Sequence, residues 1–159
     1  MKYYVGIDPG KNGALAIIND CNKRVDIYDL EDRYVYFIRA LSEDWDNEYY
    51  GCVEDVCGRP GQAMQSTTTF MKLAGKAELL AECICDDVLL VKPQVWKKHF
   101  GLVAPKGTSK TEKKRMSLEL AKSLFPQVSA LLTPSRHDRA EALLIALYRK
   151  QYDEQNNQR

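Results

Sequence analysis

Three short apolar segments at the start of the chain are separated by turns too short to hold a helix. We predict strands over Lys2–Asp8, Ala14–Ile18 and Val25–Tyr28, with the polar turn Asn19–Asn22 between the second and the third. Strands joined by such short connections pair antiparallel, because a parallel pair needs a crossover of about a dozen residues or more. The chain is therefore expected to open with an antiparallel meander.

The remainder of the chain alternates strand-like and helical patterns. A fourth strand is predicted over Tyr49–Glu54 and a fifth over Val88–Val91, with a helical segment between them. We therefore expect an α/β fold with a five-stranded mixed sheet, antiparallel in strands 1–3 and parallel in strands 4–5, flanked by helices. The predicted helices span Tyr34–Leu41, Ser66–Cys83, Pro93–Phe100, Thr111–Phe125 and Asp138–Tyr148.

Composition is that of an ordinary globular domain. With 45% hydrophobic and 28% charged residues, the chain is expected to form one domain over residues 1–150, followed by a polar tail over 151–159 that frays. No apolar run approaches the roughly 18 residues that span a bilayer, so we expect no membrane partner. The five cysteines contain no C-x-x-C pair, which indicates reduced thiols in a cytoplasmic protein rather than zinc ligands, with Cys83 and Cys85 placed in the core.

The charges are unevenly distributed although the net charge is only +1. Residues 1–57 carry 6 basic and 12 acidic side chains, whereas residues 58–150 carry 16 basic and 8 acidic ones. An asymmetry of this size indicates a basic surface around an acidic pocket.

Four acidic residues lie at the ends or on the faces of otherwise apolar elements. Asp8 ends the first strand and is followed by Pro9-Gly10, where glycine lets a large ligand approach, and Glu54 ends the fourth strand. Asp138 and Glu141 are three residues apart and so share one face of a helix. Like charges close together near a core need compensation, and oxygen ligands favour Mg²⁺ or Mn²⁺. The pattern predicts a metal site for phosphoryl transfer.

Each acid has a simpler interpretation when it is taken alone. An aspartate beside glycine is usually a turn residue, and an aspartate at a helix start, such as Asp138, is usually a cap. The combination of four favours the metal site. His137 lies beside Asp138 and is a candidate assistant for proton transfer, whereas His99 is more simply a surface residue.

A basic segment follows the fifth strand. Lysines on and around a flexible loop with Gly107, Thr108 and Ser109 suit contact with the phosphates of a nucleic acid, although a solvated helix end explains any single lysine equally well. As a set, these residues predict a track for a DNA backbone: Lys97, Lys98, Lys106, Lys110, Lys113, Lys114 and Arg115.

Taken together, these motifs resemble the RuvC-type Holliday-junction resolvases of the RNase H-like superfamily. The matching segments are Gly6–Gly10, Glu54, Lys72–Ala77, Val91–Lys98 and Asp138–Leu143, which cover most of the chain. The small size is similar to that of bacteriophage members. The resemblance implies an RNase H-like nuclease domain that forms a homodimer, for which the apolar helix over residues 67–81 is a candidate face.

The resemblance also implies that Asp8, Glu54, Asp138 and Glu141 are catalytic and hold two Mg²⁺ ions, or Mn²⁺ in their place. Asp8 would be the central ligand, and Glu141 stands where the family usually has Asp. An aromatic residue that commonly follows the second acid is missing from residues 55–63. Broad tolerance for the shape of the cleaved DNA is therefore expected.

The predicted function is a metal-dependent, structure-selective endonuclease that hydrolyses four-way junctions, three-way branches and forks in DNA recombination or repair. It would act in the cytoplasm, that of the bacterial host if the protein is phage-encoded. Two alternatives stay open at this point. One is an RNase H-like nuclease acting on RNA–DNA hybrids, and the other is a branched-DNA-binding module without catalysis.

Overall fold

The computed structural model describes residues 1–10, 12–31, 33–41, 46–56 and 64–156. Five strands and five helices make up most of these residues, together with 3₁₀ turns over Pro126–Leu131 and Pro134–Arg136. The strands are β1 (Lys2–Asp8), β2 (Ala14–Asn19), β3 (Val25–Asp29), β4 (Glu48–Glu54) and β5 (Asp87–Val91). The helices are α1 (Tyr34–Leu41), α2 (Met64–Ile84), α3 (Pro93–His99), α4 (Lys110–Leu124) and α5 (His137–Asn156).

The strands form one mixed sheet in the order β3-β2-β1-β4-β5. β1 pairs antiparallel with β2, and β2 with β3, which confirms the predicted meander. β1 pairs parallel with β4, and β4 with β5, which confirms the parallel half. In the parallel β1–β4 pair, Ile7 is opposite Val53. The next residues along each strand, Asp8 and Glu54, therefore lie side by side where the two strands end.

Helices cover both faces of the sheet. One apolar cluster joins β1 and β2 to α1 and α2 through residues such as Ile7, Leu15 and Leu80. The other joins the opposite face to α3, α4 and α5 through residues such as Trp96 and Leu143. The central strands are therefore apolar on both faces, which is why β2 is buried along its whole length.

α5 crosses β1 in unusually close contact at Gly6. A Cβ atom added to Gly6 would lie 2.1 Å from the carbonyl oxygen of Ala142 and 2.3 Å from the backbone nitrogen of Ala146. Only a residue without a side chain fits there, so Gly6 lets the helix rest directly on the strand. This contact fixes the distance between the end of β1 and the first turn of α5.

Arginines attach α5 to the sheet at both of its ends. Near its start, Arg139 Nη2 lies 2.7 Å from the Asp29 carboxylate of β3. Near its end, the buried Arg149 pairs with Asp87 and Asp153 and donates a hydrogen bond of 3.0 Å to the carbonyl of Gly51. These contacts hold the helix in one position over the sheet.

Two expectations about the chain's local structure are wrong. α5 continues to Asn156, beyond the helix end predicted at Tyr148, because Arg149 and Lys150 each reach an acid four residues later on the same helix. Cys83 is exposed on α2, whereas Cys85 is half-buried. Thiols are nevertheless unpaired at Cys21, Cys52, Cys83 and Cys85, as predicted.

None of the helices in the described part of the chain is long and apolar enough to cross a membrane.

Candidate active site

Two of the four predicted acids meet where β1 and β4 end. Asp8 is 5% exposed, and its Oδ1 accepts a hydrogen bond of 3.0 Å from the amide of Gly10 in the turn that follows. Glu54 is 8% exposed, and its Oε1 accepts a hydrogen bond of 2.9 Å from Nε1 of the buried Trp96 on α3. The parallel register therefore brings both carboxylates to the same end of the sheet, as the sequence predicts.

The first two turns of α5 bring the other two acids to the same place. A Cβ atom added to Gly10 would lie 3.2 Å from Asp138 Oδ1 and 3.3 Å from Asp8 Oδ1, so both oxygens face the space that this glycine leaves open. His137 Nε2 lies 2.9 Å from Asp138 Oδ1 and so helps to orient that carboxylate. A role for His137 in proton transfer stays a prediction.

Glu141 lies one turn further along α5 and is held by two donors. Its Oε1 is 3.1 Å from Nζ of Lys97 on α3 and accepts a hydrogen bond of 3.1 Å from the Ser117 hydroxyl on α4. The side chain of Glu141 is 12% exposed, whereas that of Lys97 is 31% exposed, so the carboxylate is the better shielded member of this ion pair. Three helices thus meet at Glu141.

The four carboxylates act on one another electrostatically. Burial raises the pKa of Asp8 well above its usual range, and the charges of Glu141, Glu54 and Asp138 raise it further, while the Gly10 amide opposes this shift. Among the described residues, no lysine or arginine forms an ion pair with Asp8. Within the described ranges, Asp8 therefore lies buried beside like charges without an ion-pair partner, whereas Glu141 has Lys97.

The chemistry of this donor set fits a hard divalent cation. All four side chains offer carboxylate oxygens, and Gly10 leaves open space between two of them. In the part of the chain that the structure describes, no three acidic, histidine or cysteine side chains are arranged to hold a metal ion as they stand. Trp96 and Lys97 on α3 each hold one of the two glutamates through a direct contact.

The predicted DNA-binding side chains separate into two groups. Lys97 is directed to Glu141, with its ammonium 4.8 Å from the centre of the Trp96 ring. On α4, Lys110 and Lys114 lie on the same face as Ser117 and form an exposed row that leads towards the site. The other predicted members, all exposed, are Lys98, Lys106, Lys113 and Arg115. DNA contact by these residues stays a prediction.

Sequence reasoning missed two residues of the site. Trp96 was noted only as part of a matching segment, and its hydrogen bond to Glu54 depends on how α3 packs against β4. Ser117 gave no signal, because a serine within a helix is ordinary. His99 lies apart from the site, in edge-to-face contact with the rings of Phe100 and Tyr148. Most of the 55–63 segment, predicted to lack a junction-probing aromatic residue, lies outside the described residues.

Two known structures have a fold similar to that of this chain. No family model and no curated protein sequence matches this chain. A structure of RuvC from Thermus thermophilus is similar to it, with 18% identity, a TM-score of 0.54, and coverage of 97% of this chain and 96% of that one. A second structure, of T. thermophilus RuvC in complex with a Holliday junction substrate, has 17% identity, a TM-score of 0.55, and coverage of 98% and 96%. The chain has the RNase H-like fold of RuvC, which confirms the expected fold class.

Proposed function

We propose that this protein is a metal-dependent endonuclease that hydrolyses phosphodiesters in four-way junctions and other branched DNA. The observation that carries the proposal is the burial of Asp8 among three further carboxylates at one edge of the sheet. Such an arrangement is costly for a protein unless a cation compensates it. The likeness in fold to a RuvC that has been solved with a Holliday junction substrate supports the choice of DNA.

Asp8, Glu54, Asp138 and Glu141 would hold two Mg²⁺ ions, with Mn²⁺ as a substitute. Ions held there would supply Lewis-acid chemistry, which would activate a water and stabilise the departing 3′ oxygen. Asp8 would be the central ligand, because it lies among the other three acids at the end of β1. His137 would keep Asp138 oriented through its 2.9 Å contact.

The exposed basic residues would hold the DNA. The row on α4 formed by Lys110 and Lys114 leads to Ser117, which itself contacts Glu141, so a phosphodiester backbone that follows the row reaches the acids. Lysines neutralise phosphates without reading bases, which suits recognition of a branched shape rather than of a sequence. We therefore include three-way branches and forks among the substrates.

We further propose that α2 forms a homodimer interface. Its buried residues face the core, whereas the opposite side exposes Met64, Met71 and Leu79, which are 85%, 46% and 56% exposed. Gly75 lies on the same side, and a Cβ added to it would meet nothing within 4 Å. An exposed apolar stripe interrupted by a glycine suits close contact with a second helix. Paired active sites would allow paired nicks across a junction.

We also propose that the protein acts in the cytoplasm. The described cysteines are unpaired, which agrees with action in a reducing cytoplasm, that of the bacterial host if the protein is phage-encoded. This would place the protein in recombination or repair of DNA.

Cleavage of a panel of labelled substrates tests the proposed activity. The panel holds four-way, three-way, forked and linear DNA and an RNA–DNA hybrid, each with Mg²⁺, Mn²⁺ or EDTA. We expect paired, metal-dependent nicks in branched DNA that are lost in Asp8→Asn but kept in Asp46→Asn, whose carboxyl is exposed in the turn before β4. Cleavage of the hybrid alone would favour the other nuclease class. Binding of branched DNA without any cleavage would leave a binding module.

Sedimentation equilibrium tests the dimer separately. Leu79→Glu places a charge on the exposed stripe and should shift the protein to monomers, while Thr69→Glu, which adds the same charge on another side of the helix, should not. A wild-type protein that is monomeric at micromolar concentration would exclude the α2 interface.

A further inference from the structure

The two glutamates of the site are held by consecutive residues of α3 that differ in charge. The neutral indole of Trp96 donates 2.9 Å to Glu54, whereas the ammonium of Lys97 lies 3.1 Å from Glu141. A neutral donor orients a carboxylate without cancelling its charge. A cation cancels the charge as well. While Lys97 lies beside it, Glu141 therefore attracts a metal ion less strongly.

Lys97 is placed so that it can leave Glu141. Its side chain is 31% exposed, and the ammonium lies at the end of a flexible stem beside the Trp96 ring. Glu141 would keep a partner after this departure, since the Ser117 hydroxyl donates to the same oxygen. The ion pair is thus exchangeable, unlike that of Arg149, whose side chain is 4% exposed and pairs with two acids.

We propose that Lys97 is an exchangeable counter-ion that competes with a divalent cation for the Glu141 carboxylate. When a DNA phosphate pairs with the Lys97 ammonium instead, Glu141 is released. The proposal rests on the proposed function, because it assumes that Glu141 is a metal ligand. Without DNA, one ion would bind at the Asp8 and Glu54 side, and the ion that needs Glu141 would bind weakly. With DNA, Lys97 would exchange its carboxylate partner for a phosphate, and Glu141 would become available. Metal loading and substrate binding would then favour each other.

The same geometry gives Glu141 a role that a shorter acid would fill less well. Lys97 approaches from α3, and Glu141 meets it from α5 at 3.1 Å. An aspartate at this position would be one methylene shorter and would be expected to contact Lys97 less closely. Glu141→Asp should therefore weaken the ion pair with Lys97. Like the loss of the lysine, this should let the second ion bind more tightly.

Mn²⁺ titration without DNA, followed by electron paramagnetic resonance of the unbound ion, tests the proposal. Wild type should bind one ion with higher affinity and a second weakly. Lys97→Met should bind the second ion about fivefold more tightly, since this is the upper range for loss of one part-exposed ion pair. Lys97→Arg keeps the positive charge and should behave as wild type, as should Lys92→Met, which removes an exposed lysine before the same helix.

The outcomes separate this inference from the proposed function. If Asp8→Asn binds Mn²⁺ as wild type does, the carboxylate site itself is wrong. If Asp8→Asn loses binding but Lys97→Met and wild type have identical isotherms, the site stands and the counter-ion role is overturned. Circular dichroism and the unfolding midpoint of Lys97→Met show whether it is folded. Should it not fold, tighter binding of the second ion by Glu141→Asp supports the inference, and unchanged binding overturns it.

Discussion

Replacement of Gly6 by alanine tests how the site is assembled. The added Cβ would lie 2.1 Å and 2.3 Å from backbone atoms of Ala142 and Ala146, far inside ordinary contact distance. Neither atom belongs to a side chain that can rotate away, so α5 has to move off β1 by about 1 Å. Asp138 and Glu141 lie on that helix and would move with it, away from Asp8.

The expected cost follows from the size of this displacement. Overpacking in a core costs about 1–3 kcal/mol and occasionally more, and contact with rigid backbone places Gly6→Ala at the upper end, at about 3 kcal/mol. A shift of about 1 Å in catalytic groups can lower a rate by about 10²-fold. Urea unfolding followed by circular dichroism measures the first quantity, and the rate of junction cleavage measures the second.

Gly51→Ala on the neighbouring strand is the matched control. There an added Cβ meets the Cys85 side chain, with the Sγ atom at 2.9 Å. A thiol can adjust, so we expect a loss below about 1.5 kcal/mol and little effect on cleavage. If the urea midpoint of Gly6→Ala equals that of wild type, the close crossing of α5 does not limit stability. If the variant is destabilised yet cleaves at the wild-type rate, the crossing does not position the catalytic acids.

Three further predictions concern the surroundings of the site. Arg149→Met should lower the free energy of unfolding by about 2–3 kcal/mol, measured in urea, because the Gly51 carbonyl and two acids lose a buried partner; an unchanged midpoint would refute this. Replacement of Lys110 and Lys114 by alanine should reduce the slope of log K against log salt for DNA binding by about 2, and an unchanged slope would remove them from the DNA track. Burial raises the pKa of Cys52 and Cys85 to about 12. At pH 8 these thiols should resist alkylation, mapped by mass spectrometry, until the protein unfolds, and rapid labelling in the native state would contradict the burial.

The fold was predictable because its signals are local. Short turns dictate the antiparallel meander, and the helical segments that join β1, β4 and β5 dictate parallel pairing. That pairing aligns the strand ends, so the meeting of Asp8 and Glu54 followed from topology alone. The three-residue spacing of Asp138 and Glu141 likewise placed them on one face of α5.

The rest of the site depends on contacts between elements that are distant in sequence. Lys97 looked like one lysine of a basic segment, yet its partner is 44 residues away on another helix. The hydrogen bond from Trp96 to Glu54 spans 42 residues and depends on the packing of α3. Gly6 belongs to the matching segment Gly6–Gly10, but its close contact with Ala142 and Ala146 of α5 follows from tertiary packing. No periodicity in the sequence encodes such pairings.

The central claim is that four carboxylates are held together for a cation, and unfolding of wild type and Asp8→Asn with EDTA or Mg²⁺ tests it most directly. Because the pKa of Asp8 is raised, the metal-free protein loses stability as pH rises from the unfolded pKa through the folded one. At pH 8 in EDTA, Asp8→Asn should therefore be the more stable protein. Mg²⁺ should stabilise wild type and reverse the order. An Asp8→Asn protein that is less stable in EDTA and responds to Mg²⁺ as wild type does would contradict the account.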